Sequence, residues 1–160
     1  MRQFKIALSL IVIGLAFLSW ADKALKPSVG TEPGSQAPSF ETKLLNGDKF
    51  VLDSLKGKMI LVDFWASYNA QDRIENHTKA GLIESYGKKT FRKGEGFVIV
   101  SISLDRFKTP LINAITADRL EYPYHVFDPQ GSESVLAMTW NVCKHRKYLI
   151  DGDGRIVSAL

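Results

Sequence analysis

Asn69 and Asp72 stand three residues apart at the start of a helical stretch. An asparagine ahead of a helix is among the best N-caps, because its side-chain oxygen accepts backbone N–H groups that the first turn leaves unpaired. A carboxylate in that turn complements the positive end of the helix dipole, and Glu75 adds a second one. Neither an amide nor a carboxylate can exchange disulfides or attack a peroxide oxygen. The pair therefore reads as a capped helix start, worth roughly 0.5–2 kcal/mol. The only thiol in the sequence is Cys143. One cysteine cannot form an internal disulfide, and it lacks the resolving thiol that dithiol chemistry uses. Its first reading is a small buried residue chosen for packing. The alternative is a lone thiol that forms a mixed disulfide or an intermolecular dimer, with His145 and Arg146 near enough to lower its pKa.

Other chemistry is sparse. His77, His125 and His145 are far apart and lack metal-ligand spacing, so no metal site and no cofactor are expected. Asn76-His77-Thr78 matches a glycosylation sequon but falls inside a predicted helix, which makes the match accidental. The formal charge of +4 includes Arg2 and Lys5; without them 19 basic residues face 17 acidic ones. The remaining basic residues are scattered rather than interleaved with aromatics, which argues against nucleic acid as a partner.

The elements that position these residues follow from patterning. Residues 59–65 and 97–104 are nearly continuous apolar runs, as expected for central strands covered on both faces. Between them, 69–88 has helical character, with Ile74, Leu82, Ile83 and Tyr86 assigned to the buried face. Further helices are predicted over 111–120 and 132–139, and a short strand over 124–127. Segments 40–45 and 50–52 flank the turn Asn46-Gly47-Asp48 and read as a β-hairpin; 148–150 and 155–157 flank Asp151-Gly152-Asp153-Gly154 and read as a closing one. The order gives an α/β sandwich with a central mixed β-sheet and an N-terminal β-hairpin.

Met1 to Lys5 is a short basic region, Ile6 to Leu18 is apolar, and Ser19-Trp20-Ala21 offers a small-x-small cleavage signal. The stretch 1–21 is thus a signal peptide or short membrane anchor, with cleavage favoured because the run from Ile6 to Ala21, 16 residues, falls short of the ~17–25 that span a bilayer. Residues 22–33 read as a linker and 34–160 as the domain. Membrane association is expected only if the first segment is retained, and the location is exported, periplasmic or cell envelope.

Several landmarks resemble the redoxin (AhpC/TSA) and TlpA/ResA-type thiol–disulfide oxidoreductases of the thioredoxin-like superfamily. They are Gly34-x-x-Ala37-Pro38-x-Phe40, Leu52-x-x-Leu55-x-Gly57-Lys58, 62–67 (VDFWAS), 100–105 (VSISLD) and Leu149-Ile150-Asp151-x-Asp153-Gly154-Arg155-Ile156-Val157. In that family the run corresponding to 64–73 carries a Cys-x-x-Cys motif, and Asn69 and Asp72 occupy the two cysteine positions. The resemblance implies a thioredoxin-like sandwich, a loop proline before Tyr148 that is absent here (His145 or Arg146 holds its place), and a C-terminal helix that is apparently missing. It also makes Asp63 the acid that lies beneath the dithiol. If Asp63 is buried without a partner, its pKa should be raised.

These readings imply an exported thioredoxin-like protein without its dithiol, acting as a non-catalytic binding or accessory domain. Its partner would meet a groove near Trp65, Tyr68 and Cys143. The alternatives are residual oxidoreductase or antioxidant activity through Cys143, and a truncated, non-functional paralogue whose uncovered apolar face would favour association.

Overall fold

A computed structural model describes residues 28–143 and 146–160. The signal or anchor segment, the first part of the linker and His145 lie outside the described residues. From Ser28 onward the chain is already tied to the domain. Gly30 and Gln36 donate to the Gln36 and Ser28 carbonyls, both at 2.9 Å, and Gly34 donates to Ile156 at 2.8 Å.

The hairpin β1 (Glu41–Lys43) and β2 (Lys49–Val51) turns through Asn46-Gly47. Leu52–Leu55, part of which was expected to extend the hairpin, forms a 3-10 turn. Then follow β3 (Met59–Trp65), α1 (Ala70–Tyr86), β4 (Thr90–Phe91), β5 (Gly94–Glu95), β6 (Phe97–Ser103), α2 (Lys108–Ala117), β7 (Tyr124–Phe127), α3 (Val135–Thr139), β8 (Lys147–Ile150) and β9 (Ile156–Ala159). The central sheet has the order β7-β6-β3-β8-β9. Strands β3, β6 and β7 are parallel, while β8 runs antiparallel to its neighbours β3 and β9, which makes the sheet mixed as expected.

Strand alternation sorts the core into two layers. Ile60, Val62 and Phe64 of β3 pack with Val100, Ile102, Val126, Tyr148 and Ile150 beneath the N-terminal hairpin and Trp140. Trp65 and Ile99 face the other way, against Leu111 and Ala114 of α2 and the half-buried Leu82 and Ile83 of α1.

Three elements depart from expectation. Helix α2 begins at Lys108, ahead of Pro110, because a proline in the first turn removes an N–H that has no helical acceptor. The predicted 132–139 helix is split: Gly131–Glu133 is a 3-10 turn, and Ser134 caps α3 by accepting the Ala137 N–H at 2.9 Å. The two-residue strands β4 and β5 are too short to show a period in the sequence. Their turn reaches Gly152, where any Cβ would sit 2.5 Å from the Lys93 carbonyl; only glycine permits that approach.

Candidate functional site

Helix α1 starts as a capped helix should. Asn69 is extended, with φ −89° and ψ 114°, and its Oδ1 accepts the N–H of Gln71 at 2.9 Å and of Asp72 at 3.2 Å. Asp72 does more than complement the dipole. It is buried, its Oδ2 accepts the Ala66 N–H at 2.9 Å, and Arg146 reaches the same oxygen at 3.1 Å. Arg146 is fixed at both backbone groups, donating to Leu160 and accepting from Phe64, each at 2.8 Å. The residue at one cysteine position is therefore ion-paired to a residue of the loop where the proline would stand.

Below this pair lies a polar layer that the hydrophobic pattern did not reveal. The buried residues of α1 are Asp72, Asn76 and Lys79, at i, i+4 and i+7. Ile74, assigned above to the buried face, is 63% exposed and Tyr86 is 40% exposed. At ~100° per residue Ile74 lies about half a turn away from the 72/76/79/83 stripe, so Ile74 was assigned to the wrong face, while Leu82 and Ile83 do pack against the core. The sheet supplies what that stripe needs. Strand register sets Lys147, Asp63, Ser101 and His125 side by side across β8, β3, β6 and β7. Because their side chains share one face of the sheet, they form a polar row beneath α1.

Asp63 is fully buried, but it does not lack a partner. Its Oδ2 forms an ion pair with Lys79, and Lys147 Nζ lies 3.7 Å from its Oδ1. Lys79 also donates to Asn76 Oδ1 at 2.6 Å and sits 5.6 Å from the centre of the Trp65 ring. Asn76 in turn donates to Asp118 at 2.8 Å, and Arg73 grips Asp118 with two bonds of 2.6 Å. Burial pushes the Asp118 carboxyl up, but the Arg73 and Asn76 bonds outweigh it and hold it below the ordinary carboxylate range. Lys147 completes the layer with a 2.6 Å contact to Glu75, whose carboxyl is lowered by that lysine and by Gln71. At the far end of the row, burial lowers the pKa of His125 below that of a free imidazole. Its Nε2 lies 3.0 Å from the Leu120 carbonyl, and its ring stacks on Tyr122 at 4.6 Å.

The structure thus brings Asn69 and Asp72 together with Arg146, Lys79 and Lys147, none of which was singled out in the sequence for this role. One signal pointed to them: Asp63 is the one charge in the apolar run 59–65, and a buried acid calls for a cation. Cys143 is exposed, which corrects its assignment as a buried packing residue, and Arg146 turns to Asp72. Of the residues placed around the groove, Tyr68 is 79% exposed, whereas Trp65 is completely buried and offers no surface. Asn76 is fully buried and doubly bonded, so it cannot accept a glycan. Among the described residues no three His, Cys, Asp or Glu side chains gather as a metal site, and no helix is long and apolar enough to cross a membrane.

No family model matches the chain. A thioredoxin-like protein, YneN, of Bacillus subtilis is 39% identical over 64 residues, 40% of this chain and 38% of that protein's length. The thiol–disulfide oxidoreductase ResA of Bacillus thuringiensis aligns over 98% of this chain and 86% of its own, at 23% identity. Among solved structures, the thioredoxin domain of a thiol–disulfide oxidoreductase from Bacteroides vulgatus superposes with TM-score 0.68 at 27% identity, covering 82% of this chain and 89% of that one. A thioredoxin-like protein from Parabacteroides distasonis gives TM-score 0.64 at 26% identity, covering 81% and 88%.

Proposed function

We propose that this chain, which has the thioredoxin-like fold of the TlpA/ResA-type thiol–disulfide oxidoreductases, is an exported, non-catalytic member that binds a protein partner at its remodelled redox site. One observation carries the reading: Asp72, in the second cysteine position, is buried and ion-paired to Arg146 of the facing loop. The groups at the second cysteine position and in the facing loop pair with each other, Arg146 reaching the Asp72 carboxylate at 3.1 Å. That pairing supports retention of the surface for binding over decay of the gene product. Tyr68, just ahead of the Asn69 cap, is exposed and is an aromatic of the kind that anchors protein interfaces. The basic and apolar start of the chain supports export to the periplasm or cell envelope.

A photo-crosslinking side chain at position 68, compared with one at Lys43 on the hairpin, tests the reading in the native envelope. A discrete adduct formed only from position 68, and lost when Asp72 and Arg146 are both replaced by alanine, is expected. Identical products from both positions would contradict it.

The exposure of Cys143 favours a second reading, a single-thiol exchange. Its thiolate would attack a partner disulfide, forming one mixed disulfide and releasing one partner thiolate.

A further inference from the structure

The N-terminal hairpin keeps one backbone edge free. Leu52 donates to the Phe40 carbonyl at 3.1 Å and Leu44 to the Asp48 carbonyl at 2.9 Å, and Thr42 lies opposite Phe50. Phe40, Thr42 and Leu44 therefore turn their backbone groups toward β2, and by alternation Ser39 and Glu41 turn theirs away. Among the described residues neither Ser39 nor Glu41 has a backbone partner on that side, and β1 meets β7 in a single bridge at Leu44 and Val126.

Between this edge and α3 lies a groove of about 470 Å³. Ser39 and Glu41 line it from the hairpin, Val135 and Thr139 from α3, and Phe40 and Trp140, edge-on at 6.1 Å, add aromatic surface. An unpaired strand edge beside an apolar groove suits an extended peptide that adds itself as a further strand. Its main-chain groups would bond to the edge, and its alternate side chains would enter the groove. A helix laid there would cover the edge N–H and C=O groups without bonding to them, which is costly.

Charge narrows the occupant further. Glu41 and Asp128 line the groove, and no lysine, arginine or histidine does. Lys49 approaches Glu41 only at 4.0 Å with both side chains largely exposed, too loose a pair to neutralise it. A basic side chain on the incoming strand is favoured and an acidic one repelled.

We infer that the free edge at Ser39 and Glu41 binds an extended segment of a partner protein, apolar toward α3 and carrying a basic side chain that meets Glu41 or Asp128. Tyr68, Asp72 and Arg146 do not line this groove, so this assignment and that of the redox-site surface can fail separately.

The test uses the full chain and peptides of about seven residues in which valine alternates with arginine or, in the counterpart, with glutamate. In amide hydrogen exchange followed by NMR, the basic peptide should slow Ser39 and Glu41 about tenfold and leave Thr42, already bonded to β2, unchanged. In fluorescence anisotropy it should bind about tenfold more tightly than the acidic peptide. Glu41→Lys with Asp128→Asn should abolish that preference. Glu41 is exposed, and asparagine keeps the oxygen that accepts the Gln130 N–H at 3.3 Å, so both substitutions suit the fold, which circular dichroism checks. Of two basic peptides N-methylated on alternate residues, one should lose about tenfold in affinity and the other little, because a strand presents its donors alternately to its two sides. Equal affinity for the basic and acidic peptides, or for the parent and both N-methylated forms, would overturn the inference. So would Ser39 and Glu41 amides already protected in the free protein, which makes the occupant a segment of this chain, or a dimer dissociated by Glu41→Lys, which makes it a second copy.

Discussion

Replacing Lys79 by methionine removes the cation from the Asp63 pair while nearly preserving side-chain length. Asp63 is fully buried and the Lys79 side chain is 3% exposed, so solvent cannot replace the lost partner. Stranding one member of such a pair costs about 3–5 kcal/mol. The residual contact from Lys147 at 3.7 Å places the expectation near the lower end, about 3 kcal/mol. That is a large share of the ~5–15 kcal/mol total stability of a domain. Urea unfolding at pH 7 measures it directly. The double variant Asp63→Leu/Lys79→Met should recover most of the loss, because an apolar pair of similar volume escapes the desolvation of two charges. A loss below about 1 kcal/mol for Lys79→Met, or a double variant as unstable as the single one, would refute the buried ion pair.

Asn69→Ala should cost roughly 0.5–2 kcal/mol in urea unfolding, with Asn69→Asp close to wild type because aspartate caps equally well. A double-mutant cycle of Asp72→Asn and Arg146→Gln should show a coupling of about 1 kcal/mol, and additive losses would deny the pair. His125 has a folded pKa below its unfolded value near 6.5, so the unfolded chain binds the proton more readily. Its stabilising contribution is complete above pH 6.5 and is lost as pH falls through the folded pKa. The gap between wild type and His125→Phe should therefore shrink between pH 7.5 and pH 5, and a constant gap would exclude His125 as the titrating group.

The fold could be read from its apolar runs because β3 and β6 are buried on both faces and leave little ambiguity of type or order. Helix α1 could not be oriented in that way. Its inward stripe is Asp72, Asn76 and Lys79, so a reading that sends apolar residues inward turns Ile74 to the core when it faces solvent. The polar row explains the exception: Asp63, Ser101 and His125 come from three strands separated by dozens of residues, and only register makes them neighbours. The cap at Asn69 was legible because capping is local, two or three residues of backbone answering one side chain. The partner of Asp72 was not, since Arg146 comes from just ahead of β8, far along the chain, and only the pairing of β3 with β8 brings it near. Cys143 misled for a related reason. Cysteine is usually buried, but this one lies in the turn 141–143, which opens at Asn141 with φ +50°, and it is exposed.

Turnover in an insulin-reduction assay with dithiothreitol tests most directly whether Asn69 and Asp72 have replaced a redox centre with structure. The wild-type protein should reduce insulin no faster than dithiothreitol alone, and Cys143→Ser should change nothing. Turnover above that background, abolished by Cys143→Ser, would contradict the account and assign the surviving chemistry to the single exposed thiol.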